Sequence, residues 1–150
     1  MKKELIGLAG EMRVCAELLK KGFFATITHG NAKATDVLVF DDQSDRFLRV
    51  EVKTSKNGRN FVTGFYPKYT DPAKTHPDLW VFYIPDRDLS VHGDKFYLVA
   101  HDEVARIQLI VNKGNKTLAG MGCDNIPLKV LDEEVKEGDW ELPRRLLARP

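Results

Sequence analysis

Residues 35–54, TDVLVFDDQSDRFLRVEVKT, decide the reading of this chain. Positions 36–40 and 46–54 are rich in β-branched and aromatic residues, and each reads as a strand. Between them lies Asp41-Asp42-Gln43-Ser44-Asp45, a polar turn cluster that predicts a hairpin. Side chains on a strand alternate between faces. Leu48, Val50 and Val52 therefore point one way, and Phe47, Arg49, Glu51 and Lys53 the other. Asp36 opens the partner strand. Antiparallel pairing sets it beside positions 51–53, within cross-strand reach. Two carboxylates and one ammonium are thus expected to converge at one end of a sheet.

Working toward the N-terminus, residues 4–21 read as an amphipathic helix stopped by Gly22. Leu5, Leu8, Met12, Cys15, Ala16 and Leu19 recur at three- and four-residue steps and predict one apolar stripe facing the core. Glu11 lies at the border of that stripe, from which an acid reaches the sheet edge, while Glu17 lies well outside it. Residues 23–28 read as a first strand. Working toward the C-terminus, residues 55–77 carry Gly58, Gly64, Pro67, Pro72 and Pro77 and predict a long irregular excursion with short ordered pieces. Residues 79–84 and 95–100 read as strands, 102–112 as a helix and 126–131 as a last strand. Trp140, Leu142, Leu146 and Leu147 are expected to dock the tail on the core. Helix, hairpin and later strands make one α/β domain over residues 1–150, a mixed sheet flanked by helices.

The 150 residues are 43% hydrophobic and 30% charged, which excludes a disordered tail. The longest apolar run, 79–84, is far short of the ~18 residues of a membrane span. Glu4 and Glu11 interrupt the N-terminal segment, so no secretory leader is expected. Cys15 and Cys123 are too few for a disulfide framework, Cys15 reading as plain helix core, and a reduced cytoplasmic setting follows. A formal net charge of +1 excludes a strongly basic nucleic-acid coat. No phosphate loop, GxSxG elbow or HExxH helix occurs, and no nucleotide cofactor is expected. The four histidines (His29, His76, His92, His101) lack zinc-ligand spacing and read as surface or loop residues.

The group Glu11, Asp36, Glu51 and Lys53 suits metal-assisted phosphodiester hydrolysis. Hard carboxylate oxygens select Mg²⁺, which takes one or two of them and keeps waters or phosphate oxygens; Mn²⁺ is its substitute. The metal polarises the phosphoryl group and activates a water, while a neighbouring lysine orients that water or stabilises developing charge. Alone, a Glu-x-Lys alternation also fits a solvated sheet face, where such pairs contribute about 0–1 kcal/mol.

The stretch 7–55 resembles the PD-(D/E)XK nuclease superfamily, the restriction-endonuclease-like fold. It is most similar to small prokaryotic endonucleases related to archaeal Holliday junction resolvases. Gly10-Glu11, the helix exit Leu18-Leu19-Lys20-Lys21-Gly22-Phe23, Thr35-Asp36-Val37-Leu38-Val39 and Val50-Glu51-Val52-Lys53-Thr54-Ser55 carry the resemblance. It implies a restriction-endonuclease-like mixed sheet, metal ligation by Asp36 and Glu51 with help from Glu11, and Lys53 as the catalytic lysine. Thr35 departs from the proline of the family motif.

The expected substrate is DNA, cut by a metal-dependent endodeoxyribonuclease, with a homodimer as the form that cuts two strands. A ribonuclease, or a non-catalytic binding module in a defence or toxin–immunity setting, are the alternatives. Residues 53–76 hold Lys53, Lys56, Arg59, Lys68 and Lys74 against Asp71, a net charge of +4. Lys56, Arg59 and Lys68 are candidate phosphate contacts, as are Asn31 and Lys33 in the loop before Asp36. The interleaved Phe61, Phe65, Tyr66 and Tyr69 either stack on bases or dock on the core.

Overall fold

A computed structural model describes residues 2–28, 34–55, 57–69, 71–88, 91–116 and 124–150. Candidate residues Asn31, Lys33 and Lys56, together with His29 and Cys123, lie outside the described residues.

Helix α1 spans Lys3–Lys20 and ends at Gly22, whose φ of +91° is a left-handed turn that glycine adopts without a Cβ clash. Strands β1 (Phe24–Ile27), β2 (Val37–Phe40) and β3 (Phe47–Thr54) follow, joined by antiparallel pairing. The predicted hairpin is present, in the register Val37 to Val50 and Phe40 to Phe47. The excursion after β3 holds β4 (Asn60–Val62) and α2 (Phe65–Tyr69). Strands β5 (Leu79–Ile84) and β6 (Lys95–Ala100) occupy the positions expected of them, followed by α3 (His101–Val111). β7 (Asn125–Pro127), α4 (Leu128–Glu134) and α5 (Leu142–Leu147) complete the described elements.

The main sheet has five strands in the order β1-β2-β3-β5-β6. β3 and β5 run parallel and the other neighbours antiparallel, so the sheet is mixed. The chain returns from β3 to β5 through the excursion, whose β4 pairs with β7 in a separate two-stranded ribbon. The architecture is the helix-flanked mixed sheet expected of a restriction-endonuclease-like core.

Alternation along the strands builds two cores. One face carries Val37, Val39, Leu48, Val50, Val52 and Val81, covered by Val14, Cys15 and Leu18 of α1 and by Leu146 and Leu147 of α5. The tail therefore docks as predicted, with Trp140 and Leu142 packed at its margin. The opposite face carries Trp80, Phe82, Tyr97 and Val99 against Phe61, Phe65, Val104, Ile107, Ile126 and Leu131.

Three expectations are corrected. The stripe Leu5, Leu8, Met12 and Leu19 faces outward and is about half exposed, because α1 seats Gly10, Val14 and Leu18 on the sheet instead. Glu17, expected far from the core, is only 8% exposed and is held by Arg13 and Lys20. The last strand stops at Pro127, and Leu131 is a buried residue of a helix. Residues 126–131 are a short apolar run whose periodicity does not separate strand from helix.

Candidate active site

The β2–β3 ladder ends where the candidate acids begin. Asp36 donates its backbone N–H to the Val50 carbonyl (2.8 Å), the last backbone bond on that side. Its side chain continues the ladder, because Oδ2 accepts the Val52 N–H at 2.7 Å. The carboxylate is thereby fixed against β3. Thr35, the departure from the family motif, is 3% exposed, and its hydroxyl accepts a hydrogen bond from Arg49 Nη1 at 3.0 Å. The residue serves to anchor the approach to Asp36.

On β3, Leu48, Val50 and Val52 enter the core beneath α1, while Glu51 and Lys53 project from the other face, as strand alternation requires. Lys53 Nζ lies 2.9 Å from Glu51 Oε1. The ammonium also stands 5.9 Å from the ring centroid of Trp80, the β5 residue paired with Glu51. Tyr69 of α2 packs edge-on against the same Trp80 ring. An aromatic wall thus backs the charged pair.

Electrostatics tie the four candidates together. Burial, then the charge of Glu51, pushes the Asp36 carboxyl up to about 7 against the opposing pull of the Val52 N–H; Glu11 adds to the rise and Lys53 opposes it. Glu11 is raised too, by burial and by Glu51, again opposed by Lys53. The Tyr69 hydroxyl is raised by burial and by the charges of Glu51 and Asp36. Three acids therefore share one field with one nearby lysine.

Gly10 explains how an acid on α1 reaches this field from across the sheet. A Cβ there would come within 1.8 Å of Thr54 Oγ1, so only glycine lets the helix cross the end of β3 this closely. Glu11 follows directly. Beyond Lys53 opens a cleft of about 600 Å³ lined by Lys3, Lys53, Lys68, Asn57, Asn60 and Thr63 among others. Among the described residues, no carboxylate lines it. Lys68 and Lys53 are thus brought together. Arg59 is exposed and is not part of that lining.

The aromatics of the excursion dock rather than stack. Phe61 and Phe65 are 2% exposed and Tyr66 is 7% exposed, all within the second core. His101 is neither a surface nor a loop histidine. It accepts a hydrogen bond from Trp80 Nε1 at 3.0 Å, and burial followed by the charge of His76 lowers its pKa to about 4. Sequence reasoning missed Trp80, Arg49 and Asp78 around the site. Arg49 shares the β3 face with Glu51, and its N–H is held by Asp78 Oδ2 at 2.7 Å. The face of Arg49 was legible from alternation, whereas Trp80 enters only through the parallel β3–β5 pairing.

The donor chemistry at Asp36 and Glu51, two carboxylates in mutual repulsion, is of the kind a hard divalent cation takes, and a lysine-bearing cleft lies beside them. Among the described residues, no three His, Cys, Asp or Glu side chains form a group that could hold a metal. Any such ion would rest on the pair and complete its shell with water or phosphate oxygens.

No family model and no curated protein matches the chain. A solved structure of a bacterial homing endonuclease, I-Ssp6803I, is similar with a TM-score of 0.48 and 18% identity, over 69% of this chain and 69% of that one. No helix among the described residues is long and apolar enough to cross a membrane.

Proposed function

We propose that this chain is a Mg²⁺-dependent DNA endonuclease of the PD-(D/E)XK type, with Mn²⁺ as substitute metal. The observation that carries the reading is the convergence of Asp36, Glu51 and Lys53 on one sheet face at the end of the β2–β3 ladder, Lys53 Nζ standing 2.9 Å from Glu51 Oε1. Asp36 and Glu51 hold the metal, which supplies Lewis-acid polarisation of the phosphoryl group and an activated water. Lys53 stabilises the charge that develops on the phosphate. Glu11, which shares the field of Glu51 and Lys53, acts as an outer acid that hydrogen-bonds water at the site. Lys3 and Lys68 receive backbone phosphates in the cleft beside Lys53.

The test is incubation with supercoiled, linear and four-way-junction DNA, and with RNA, in Mg²⁺ or in chelator. Expected are nicking or cleavage of DNA that needs the metal and is lost in Lys53→Ala. Cleavage unchanged in that variant would remove the site. Cleavage of RNA alone would reassign the substrate, and binding without cleavage of any substrate would favour a non-catalytic module.

A further inference from the structure

We propose that the outward face of α1 is the surface on which a second copy of this chain docks, with the two α1 helices side by side and parallel. This inference does not depend on the nuclease reading. Surface helices carry apolar residues on the core side and polar ones outside. α1 is apolar on both sides. Gly10, Val14 and Leu18 face the sheet, while Leu5, Leu8, Ala9, Met12, Ala16 and Leu19 face out and are all exposed. A helix apolar on opposite faces is built to be sandwiched.

The spacing identifies the occupant. Leu5, Met12 and Leu19 recur every seven residues, with Leu8 and Ala16 between them, along a helix about 27 Å long. A seven-residue apolar repeat is the seam by which one helix packs lengthwise against another of the same period. Alanines at 9 and 16 let the two backbones approach closely.

Charge sets the direction. At about 100° per residue, the exposed Glu4 borders one side of the apolar strip, and the exposed Lys2 and Lys20 border the other. A two-fold axis running along the helices lays the acidic border of each copy on the basic border of the other. An antiparallel pair would instead set acid against acid and base against base. Opposite charges across the seam favour the parallel arrangement.

Sedimentation of the full chain at about 100 µM is the first arm. The wild type is expected to sediment as a dimer. Met12→Lys and Leu8→Lys, at exposed positions, should weaken self-association at least 100-fold with the circular dichroism spectrum unchanged. The second arm keeps the idea open to refutation if either variant misfolds. Leu5→Cys, Met12→Cys and Leu19→Cys are each made in a chain whose Cys15 and Cys123 are replaced by alanine. Under oxidation, all three should form covalent dimers. Cross-linking at position 12 alone would overturn the parallel seam. A monomeric wild type, or a dimer indifferent to both lysine variants, would overturn the surface itself.

Discussion

Two part-buried charge clusters sit on either side of the main sheet, and they are wired oppositely. On the α1 side, Arg13 donates to Glu17 Oε1 (2.5 Å) and to Asp94 Oδ2 (2.9 Å), and Lys20 reaches Glu17 at 3.1 Å. Tyr83 and the Asp86 N–H also donate to Asp94, at 2.9 and 2.8 Å. Burial alone would raise Glu17, but hydrogen bonds from Arg13 and Lys20 outweigh it and hold the carboxyl below its ordinary value. Across the sheet, Asp36 and Glu51 share Lys53 with Glu11, which reaches the same field from α1, and Asp36 is pushed up to about 7, by burial before all else. The first cluster is compensated and joins α1 to the β5–β6 end of the sheet. The second is left with an acid surplus beside a cleft. A compensated cluster closes its own charge; an uncompensated one leaves charge for a ligand to complete.

The sharpest way to break this contrast is to delete one cation from each cluster. Lys53→Ala should lower metal-dependent cleavage by about 10²–10³-fold, as loss of an electrostatic stabiliser does, while melting close to the wild type. Arg13→Ala should do the reverse. It strands Glu17 and Asp94, whose side chains are 11% and 5% exposed, and should cost roughly 2–4 kcal/mol of stability. Below its lowered melting point, cleavage per folded molecule should stay within about twofold. Denaturant melts and initial rates on one set of preparations decide the matter. A Lys53→Ala protein that melts early and still cuts would invert the assignment.

Asp36→Asn sharpens the contrast through pH. The native carboxyl titrates near 7, against 3.8 as its ordinary value. Between those pH values the native state holds a proton that the unfolded chain has released, so stability falls as pH rises through the window and the penalty is complete above 7. Asparagine keeps an acceptor for the Val52 N–H and removes the charge. In chelator at pH 8 the variant should be more stable than wild type by about 1–3 kcal/mol, and at pH 4 the two should converge. Glu17→Gln should move the other way, since the stability from a depressed carboxyl is present above its unfolded pKa and lost as pH falls through the folded one. Equal melting of Asp36→Asn and wild type at pH 8 would mean that the Asp36 carboxylate carries no burden.

The candidate cluster is the more legible of the two. Glu51 and Lys53 lie on β3 and Asp36 immediately precedes β2, its hairpin partner, so alternation and register alone bring them together. The Arg13 cluster needs Asp94, which approaches only after β5 and β6 are in place, and no local period announces it. Glu17 was misplaced for a related reason. The strong stripe of α1 at three- and four-residue steps predicts the core face, whereas a weaker set with a glycine at its centre meets the sheet. Close packing against Thr54 selected Gly10, and hydrophobicity does not register a glycine. In the excursion, Phe61 and Phe65 carry no signal that distinguishes docking from stacking, since both uses want an aromatic ring.

The smallest expected effect separates the members of the compensated cluster. Lys20 binds the same Glu17 oxygen as Arg13, but its side chain is 69% exposed where that of Arg13 is 19% exposed. Solvent and salt screen an exposed ammonium, and its flexible stem gives up rotamer freedom to hold one geometry. Lys20→Ala should therefore cost only about 0.3–0.5 kcal/mol, the value of an ordinary helix-surface pair. That cost should vanish in high salt, while the Arg13→Ala deficit persists because its partners are shielded from ions. Paired melts at low and high ionic strength read both. If the two variants lost equal stability and shared one salt dependence, Glu17 would be an ordinary surface acid, and burial would not be what makes Arg13 the member that holds the cluster together.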